Sequence, residues 1–500
     1  MLKLKKIVVA VALALPMAAG AQTNEELNSE IQQLKAQVNE LRDMMKQQAA
    51  APAPSPTTEP AAATVDPSEF SQLQVKVDAI EDSAEVAGMK GLRISAGFDP
   101  VYMYNQAKGT SSFAFLNNFS NINGSGEVAS YDNSYFGMAY LDIQKDMGDG
   151  GTKLRLTLAP SKSAGSGYNF GNIVHEASAS IPFDGLDNKF IVGQMPDVSG
   201  YEPYVNTYSG INNVTSNQLY PGYAEYFITK NLLFDFTEMT YYTGAGVDLT
   251  RDGGNWEYKF ILANANSARN DCTSLGTCSA GLNKSPMLIY NVTYAEQEFW
   301  GYEFTGYEGS ISNFNGLAPV GASTHLDQIE TDAWFTRGDF NANVQYTLGR
   351  QRDAALNADA AGNPQDAKWW GISTLVSERV TPKLTLAGRI DYLNNSANGG
   401  GTFDVGNANS GSATTALNGV TGDAINGFGA GDPNAAGYNP NIGANRYDLT
   451  FAATYRLTPF VAFRGEVRHD IATTSSFYYF NDGSFHKTNN TVGLQTIVNF

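Results

Sequence analysis

The last ten residues, Thr491 to Phe500, alternate in polarity. Val492, Leu494, Thr496, Val498 and Phe500 fall on one side of an extended chain. Thr491, Gly493, Gln495, Ile497 and Asn499 fall on the other. The first set is mostly apolar and the second mostly polar, so the segment predicts a strand greasy on one side and wet on the other. The same period of two recurs upstream. Leu92, Ile94, Ala96 and Phe98 alternate with Arg93, Ser95, Gly97 and Asp99. Leu154, Leu156 and Leu158 flank Arg155 and Thr157. Trp256, Tyr258, Phe260 and Leu262 oppose Glu257 and Lys259, and Trp300, Tyr302 and Phe304 oppose Glu303 and Thr305. Further copies run through 340–348, 384–392, 447–456 and 461–468. The second face is repeatedly charged and cannot be a dry core. The pattern predicts a closed all-β antiparallel barrel, its greasy side toward lipid and the terminal strand closing it.

The connections alternate too. Short turns fall near 147–151, 183–187, 251–254, 295–297, 337–338, 381–382 and 458–459. Long ones fall near 105–133, 160–172, 197–238, 265–284, 309–326, 350–367, 394–444 and 470–488. Together they predict a transmembrane β-barrel of about 16 strands with both termini on the short-turn side.

Before residue 91 the period changes. Lys3, Lys5 and Lys6, an apolar run from Ile7 to Met17, and Ala19-Gly20-Ala21 predict a cleaved signal peptide at 1–21. Leu27, Ile31, Leu34, Val38, Leu41 and Met45 are spaced as a heptad seam, so 22–48 is expected to form a coiled coil. Such a short helix is marginal alone, which makes self-association the reason for the seam. Residues 49–67 form an Ala/Pro-rich linker. A second helical segment spans 68–90, with Phe70, Leu73, Val77 and Ile80 on its seam, and the barrel occupies 91–500.

Composition narrows this further. The 50 Gly, 26 Tyr and 27 Phe suit many short strands joined by turns. The net charge of −18 excludes a general nucleic-acid footprint. Cys272 and Cys278 share one long loop and predict a small disulfide-closed ring. The histidines, His175, His325, His469 and His486, show no metal-ligand or catalytic spacing. No haem motif, nucleotide loop or Ser/His/Asp set emerges, so neither an enzyme nor a cofactor is expected.

A signal peptide, an alternating barrel and a terminal Phe500 together resemble the trimeric outer-membrane porins of Gram-negative bacteria. The coiled coil before the barrel resembles that of the phosphate-selective and dicarboxylate-type porins. Stretches such as Gly91-Leu92-Arg93-Ile94-Ser95 and Tyr131-Asp132-Asn133-Ser134-Tyr135-Phe136-Gly137 resemble an uncharacterised proteobacterial porin-like family. The resemblance implies a homotrimer in the cell outer membrane, with a periplasmic stalk and outer-membrane lipid around the barrel. It implies passive diffusion of small hydrophilic solutes, anionic ones among them, with ion transport through a water-filled lumen. Alternation turns Arg93, Arg155, Arg389, Arg456, Arg464 and Arg468 inward as pore-lining cations. In trimeric porins the third loop narrows the lumen; here it is 197–238, with Asp197, Glu202 and Asp235 as constriction acids. The bland alternative is that these arginines only neutralise neighbours such as Asp391, Asp448 and Glu466. The rival function is a structural or display barrel whose stalk contacts peptidoglycan.

Overall fold

A computed structural model describes residues 91–115, 137, 139–148, 151–158, 174–202, 226–239, 241–266, 286–296, 299–312, 323–402, 423–424 and 426–499. All fall within the unit Ile80–Phe500. The expected signal peptide, coiled coil, linker and second helix, the cysteines Cys272 and Cys278, and Phe500 lie outside the described residues.

The strands in chain order are β1 (Leu92–Phe98), β2 (Val101–Asn105), β3 (Thr110–Ala114), β4 (Ala139–Asp146), β5 (Lys153–Leu158), β6 (Val174–Pro182), β7 (Asn188–Pro196), β8 (Tyr241–Arg251), β9 (Trp256–Asn266), β10 (Met287–Glu296), β11 (Trp300–Ser312), β12 (Ser323–Arg337), β13 (Phe340–Gln351), β14 (Ala367–Thr381), β15 (Leu384–Asn394), β16 (Arg446–Thr458), β17 (Val461–Ala472), β18 (Phe477–Tyr479), β19 (Ser484–His486) and β20 (Thr488–Asn499). Among the described residues one α-helix, α1 (Leu232–Thr237), lies between β7 and β8.

Eighteen of these strands join one sheet, and β18 pairs with β19 alone. β1 and β2 share one wall position, broken at Asp99-Pro100, and β3 and β4 share the next. The wall therefore has 16 positions. It closes where β20 pairs with β1 through Gly97↔Asn499 and with β2 through Val101↔Gln495 to Asn105↔Thr491. Closure pairs the first wall position with the last, as a wall in lipid requires.

The first connection differs from expectation. A long loop was predicted over 105–133, but β2 and β3 form a hairpin around Gln106–Gly109. Gly109 holds φ +61, and a side chain there would collide with Asn481. The long excursion instead interrupts the second wall position, between β3 and β4.

The barrel is apolar outside and polar inside. On β13, Leu348 is 50% exposed while its neighbour Thr347 is 0% exposed. On β20, Leu494 is 61% exposed and Gln495 3%. A water-soluble sandwich would reverse this. Two aromatic bands bracket the apolar surface. Trp256, Tyr258, Tyr294, Trp300 and Tyr302 cluster near the short turns. Tyr346, Trp370, Tyr392 and Tyr447 run in a chain near the long loops. On β16, Tyr447 and Tyr455 bracket the band; eight residues at about 3.3 Å each, tilted by about 45°, give a height of about 19 Å. That suits a girdled hydrocarbon layer.

Toward the long loops the inner face turns apolar. Leu232, Leu233 and Phe236 of α1 pack against Ile191, Met195, Tyr242, Ile261, Met287, Ile289, Leu326, Trp369 and Leu393. Each large side chain so buried stabilises by about 1.5–3 kcal/mol. The described ends of the third long connection, 197–202 and 226–238, are therefore inside the barrel, folded onto its wall.

Candidate functional site

The interior site is built where this connection meets two stretches of wall. α1 starts at Asn231, whose side chain accepts from the Phe234 amide at 2.7 Å, an N-cap that fixes the helix start. The segment just before it, Phe227–Leu232, is clamped to β15–β17. Arg389 donates to the Thr229 and Lys230 carbonyls at 2.8 Å each. Arg468 donates to the Lys230 carbonyl at 2.8 Å, and Arg464 to the Phe227 carbonyl at 3.3 Å. Glu466 accepts from the Ile228 and Thr229 amides, and Asp391 from the Leu232 amide at 3.1 Å. Cationic donors on carbonyls and carboxylates on amides are the strong class of hydrogen bond.

These arginines are fully buried, and Arg389 and Arg468 are ion-paired. Arg389 lies 3.2 Å from both Asp391 and Glu202, with its guanidinium 4.7 Å over the Phe227 ring. Arg468 pairs with Asp448 and with Asp470 at 2.9 Å. Arg464 also donates to Gln495 at 2.8 Å. The remaining predicted arginines lie elsewhere on the inner face. Arg155 grips Asp142 at 2.8 and 3.0 Å, with Glu176 at 3.6 Å. Arg93 pairs with Asp146 at 2.9 Å, half-exposed near the short turns, and Arg456 is exposed at the same end.

The predicted loop acids divide. Glu202 reaches Arg389 and also accepts from the Asn231 amide at 2.8 Å. Asp235 is buried in the first turn of α1. Asp197 faces the opposite wall. It accepts from the Val198 amide and from the Tyr307 hydroxyl, both at 2.7 Å, and burial pushes its carboxyl up to about 7.

That opposite wall is acidic. Inward registers align Glu257, Thr293, Glu303, Asp332 and Gln345 around β9–β13. Glu330 sits on the same face, two residues before Asp332. Gln345 donates to Glu238 at the end of the loop. Burial, then Glu330 and Asp197, push Glu238 well above the ordinary carboxylate range.

Several of these groups escaped the sequence reading. Arg446, bonded to Asp470 at 2.7 Å and stacked at 5.0 and 4.5 Å on Phe428 and Phe477, opens a strand just before its alternation becomes visible. Glu330 and Asp332 lie on β12, whose outward Thr331 and Ala333 blur the period. Register also brings Glu308, His325 and Asp327 together, their ligand atoms within 4.8 Å, on the outer face near the long loops. In the β18–β19 hairpin, Ser484 and Asp482 both contact His486 Nε2, at 2.8 and 3.0 Å. A nucleophile and an orienting acid would use opposite ring nitrogens.

An interior lined by charged side chains inside an apolar shell defines a membrane-spanning barrel. The chain belongs to a family of proteins of unknown function, DUF3138, whose model matches residues 67–298 and 305–500. No curated protein matches the sequence. Among solved structures it is similar to the outer-membrane-expressed OmpT of Vibrio cholerae (9% identity, TM-score 0.44, covering 82% of this chain and 97% of that one). It is also similar to OmpF of Salmonella typhi in complex with daunomycin (11%, 0.43, 82% and 97%) and to a porin refined at 1.8 Å (10%, 0.40, 82% and 100%). These are loose likenesses; the 16 wall positions rest on this chain's own pairing.

Proposed function

We propose that the protein is an outer-membrane channel for passive diffusion of small hydrophilic solutes, anionic ones among them. The observation that supports this most is the inverted, closed barrel, apolar outside and charged within. In this reading Arg93, Arg155, Arg389, Arg456, Arg464 and Arg468 set the electrostatics of the lumen. Asp197, Glu202 and Asp235 act from the constricting loop. The chemistry is selection by width and charge, and no reaction is catalysed.

The protein acts as a homotrimer in this reading, with residues 22–90 as a periplasmic stalk able to touch peptidoglycan.

A structural barrel is the second reading. It is favoured by how much chain packs inside: α1 meets Phe428 of the connection after β15, with ring centroids 4.5 Å apart. Vesicles containing the purified protein decide between them. Uptake of small sugars and carboxylates, graded by size, supports the channel. Vesicles holding folded barrels yet impermeable to all of them refute it.

A further inference from the structure

We propose that a cleft on the outer wall across β12–β15, at the long-loop end, holds the headgroup phosphate of one membrane lipid, with an acyl chain of that lipid lying on the wall beneath it. The cleft has a volume of about 340 Å³, within the range of small-ligand sites. Two rows of outward side chains line it. Register sets Asp327 opposite Arg350 and Arg350 opposite Lys368, which makes a charged row. Two residues further from the long loops, it sets Ile329 opposite Leu348 and Leu348 opposite Trp370, which makes an apolar row. The rows are about 7 Å apart along the strands. Asn394 and Ala397, at the end of β15 and just after it, border the cleft on the far side. Trp370 belongs to the aromatic chain with Tyr346 and Tyr392, the level at which hydrocarbon gives way to headgroups. The charged row therefore stands among headgroups and the apolar row among acyl chains.

The cations on this row are available to an anion. Lys368 is exposed and, among the described residues, makes no hydrogen bond or ion pair. Arg350 donates from Nε and Nη2 to one oxygen of Asp366, at 2.9 and 2.6 Å. That pair holds the guanidinium in place and leaves its other N–H groups for a second acceptor. At the opposite end of the row Glu308 and Asp327 stand with His325, so the row is acidic over β11–β12 and cationic over β13–β14. A phosphate suits the cationic end alone, where two basic side chains start from neighbouring strands about 5 Å apart. The apolar row decides that the phosphate is a lipid's. Ile329, Leu348 and Trp370 are 44%, 50% and 38% exposed, a greasy surface that an attached acyl chain covers and a free anion does not. The inference goes beyond the channel reading and holds whether or not the lumen conducts.

The test is native mass spectrometry of the full-length barrel released from nonionic detergent. It is titrated with dioleoyl phosphatidic acid, with the diacylglycerol of the same chains, or with inorganic phosphate. Wild type should retain one phosphatidic acid at least about tenfold more tightly than the diacylglycerol. Inorganic phosphate at the same concentration should not displace it. Lys368→Gln, which breaks no pair in the fold, should weaken retention of that first lipid by about fivefold or more, and Arg350→Gln should act in the same direction. Lys383→Gln, in an exposed short turn at the other end of the barrel, should leave it unchanged. Three results would overturn the site: diacylglycerol held as tightly as phosphatidic acid, phosphatidic acid displaced by equal inorganic phosphate, or retention indifferent to Lys368 and Arg350.

Discussion

Arg389→Met removes the residue on which the loop clamp converges. The side chain is fully buried. Its loss leaves Glu202 and Asp391 without the guanidinium 3.2 Å away and frees the Thr229 and Lys230 carbonyls of two 2.8 Å bonds. Methionine keeps most of the volume against Phe227, so packing changes little. Removing one partner of a buried pair costs about 3–5 kcal/mol, because the other charge stays behind. The expected loss is therefore about 3–5 kcal/mol, read by urea unfolding of the barrel in lipid vesicles. Adding Glu202→Gln removes one stranded carboxylate, so the double variant should be more stable than Arg389→Met alone by about 1 kcal/mol or more. Limited proteolysis should cut within 203–225 faster in the single variant. A loss below about 1 kcal/mol, or a double variant worse than the single, would refute the clamp.

Other consequences follow from the same geometry. Leu494→Arg, at a position 61% exposed on the outer wall, should cost about 2–4 kcal/mol in a bilayer; a change within about 0.5 kcal/mol would mean this face meets water. Arg389→Gln with Arg464→Gln should move the reversal potential in a salt gradient toward cation selectivity, and an unmoved potential would remove them from the constriction. Asp197 holds its proton to about pH 7 in the folded chain but only to about pH 4 unfolded. Its contribution is therefore complete below about pH 4 and is lost as the pH rises through 7. In divalent-free buffer, the stability of wild type relative to Asp197→Asn should fall between pH 5 and pH 8; a constant difference would contradict this.

The barrel was legible because alternation is local: Leu92 to Asp99 or Phe340 to Leu348 declares its two faces without knowledge of any partner strand. Turn chemistry set the strand number for the same reason. The hairpin at Gln106–Gly109 was not legible, since its strand β2 is fixed by pairing with β20 and a side chain at Gly109 is barred only by Asn481, both far along the chain. The site was half legible. Alternation turned Arg389, Arg464 and Arg468 inward, but their grip on the carbonyls of Phe227, Thr229 and Lys230 depends on how a long loop folds back. The acidic row needed register, since Glu303 and Asp332 become neighbours only when β11 pairs with β12. The apolar patch behind α1 was hidden too, because inward Ile289 or Leu326 breaks the rule that made the barrel recognisable.

The most direct test of the central claim is planar-bilayer conductance of the purified protein under a salt gradient. Discrete steps in groups of three, with a reversal potential that moves when the inward arginines are replaced, are the predicted result. Silence from barrels shown to be folded and inserted would contradict the channel and leave a structural wall component in its place.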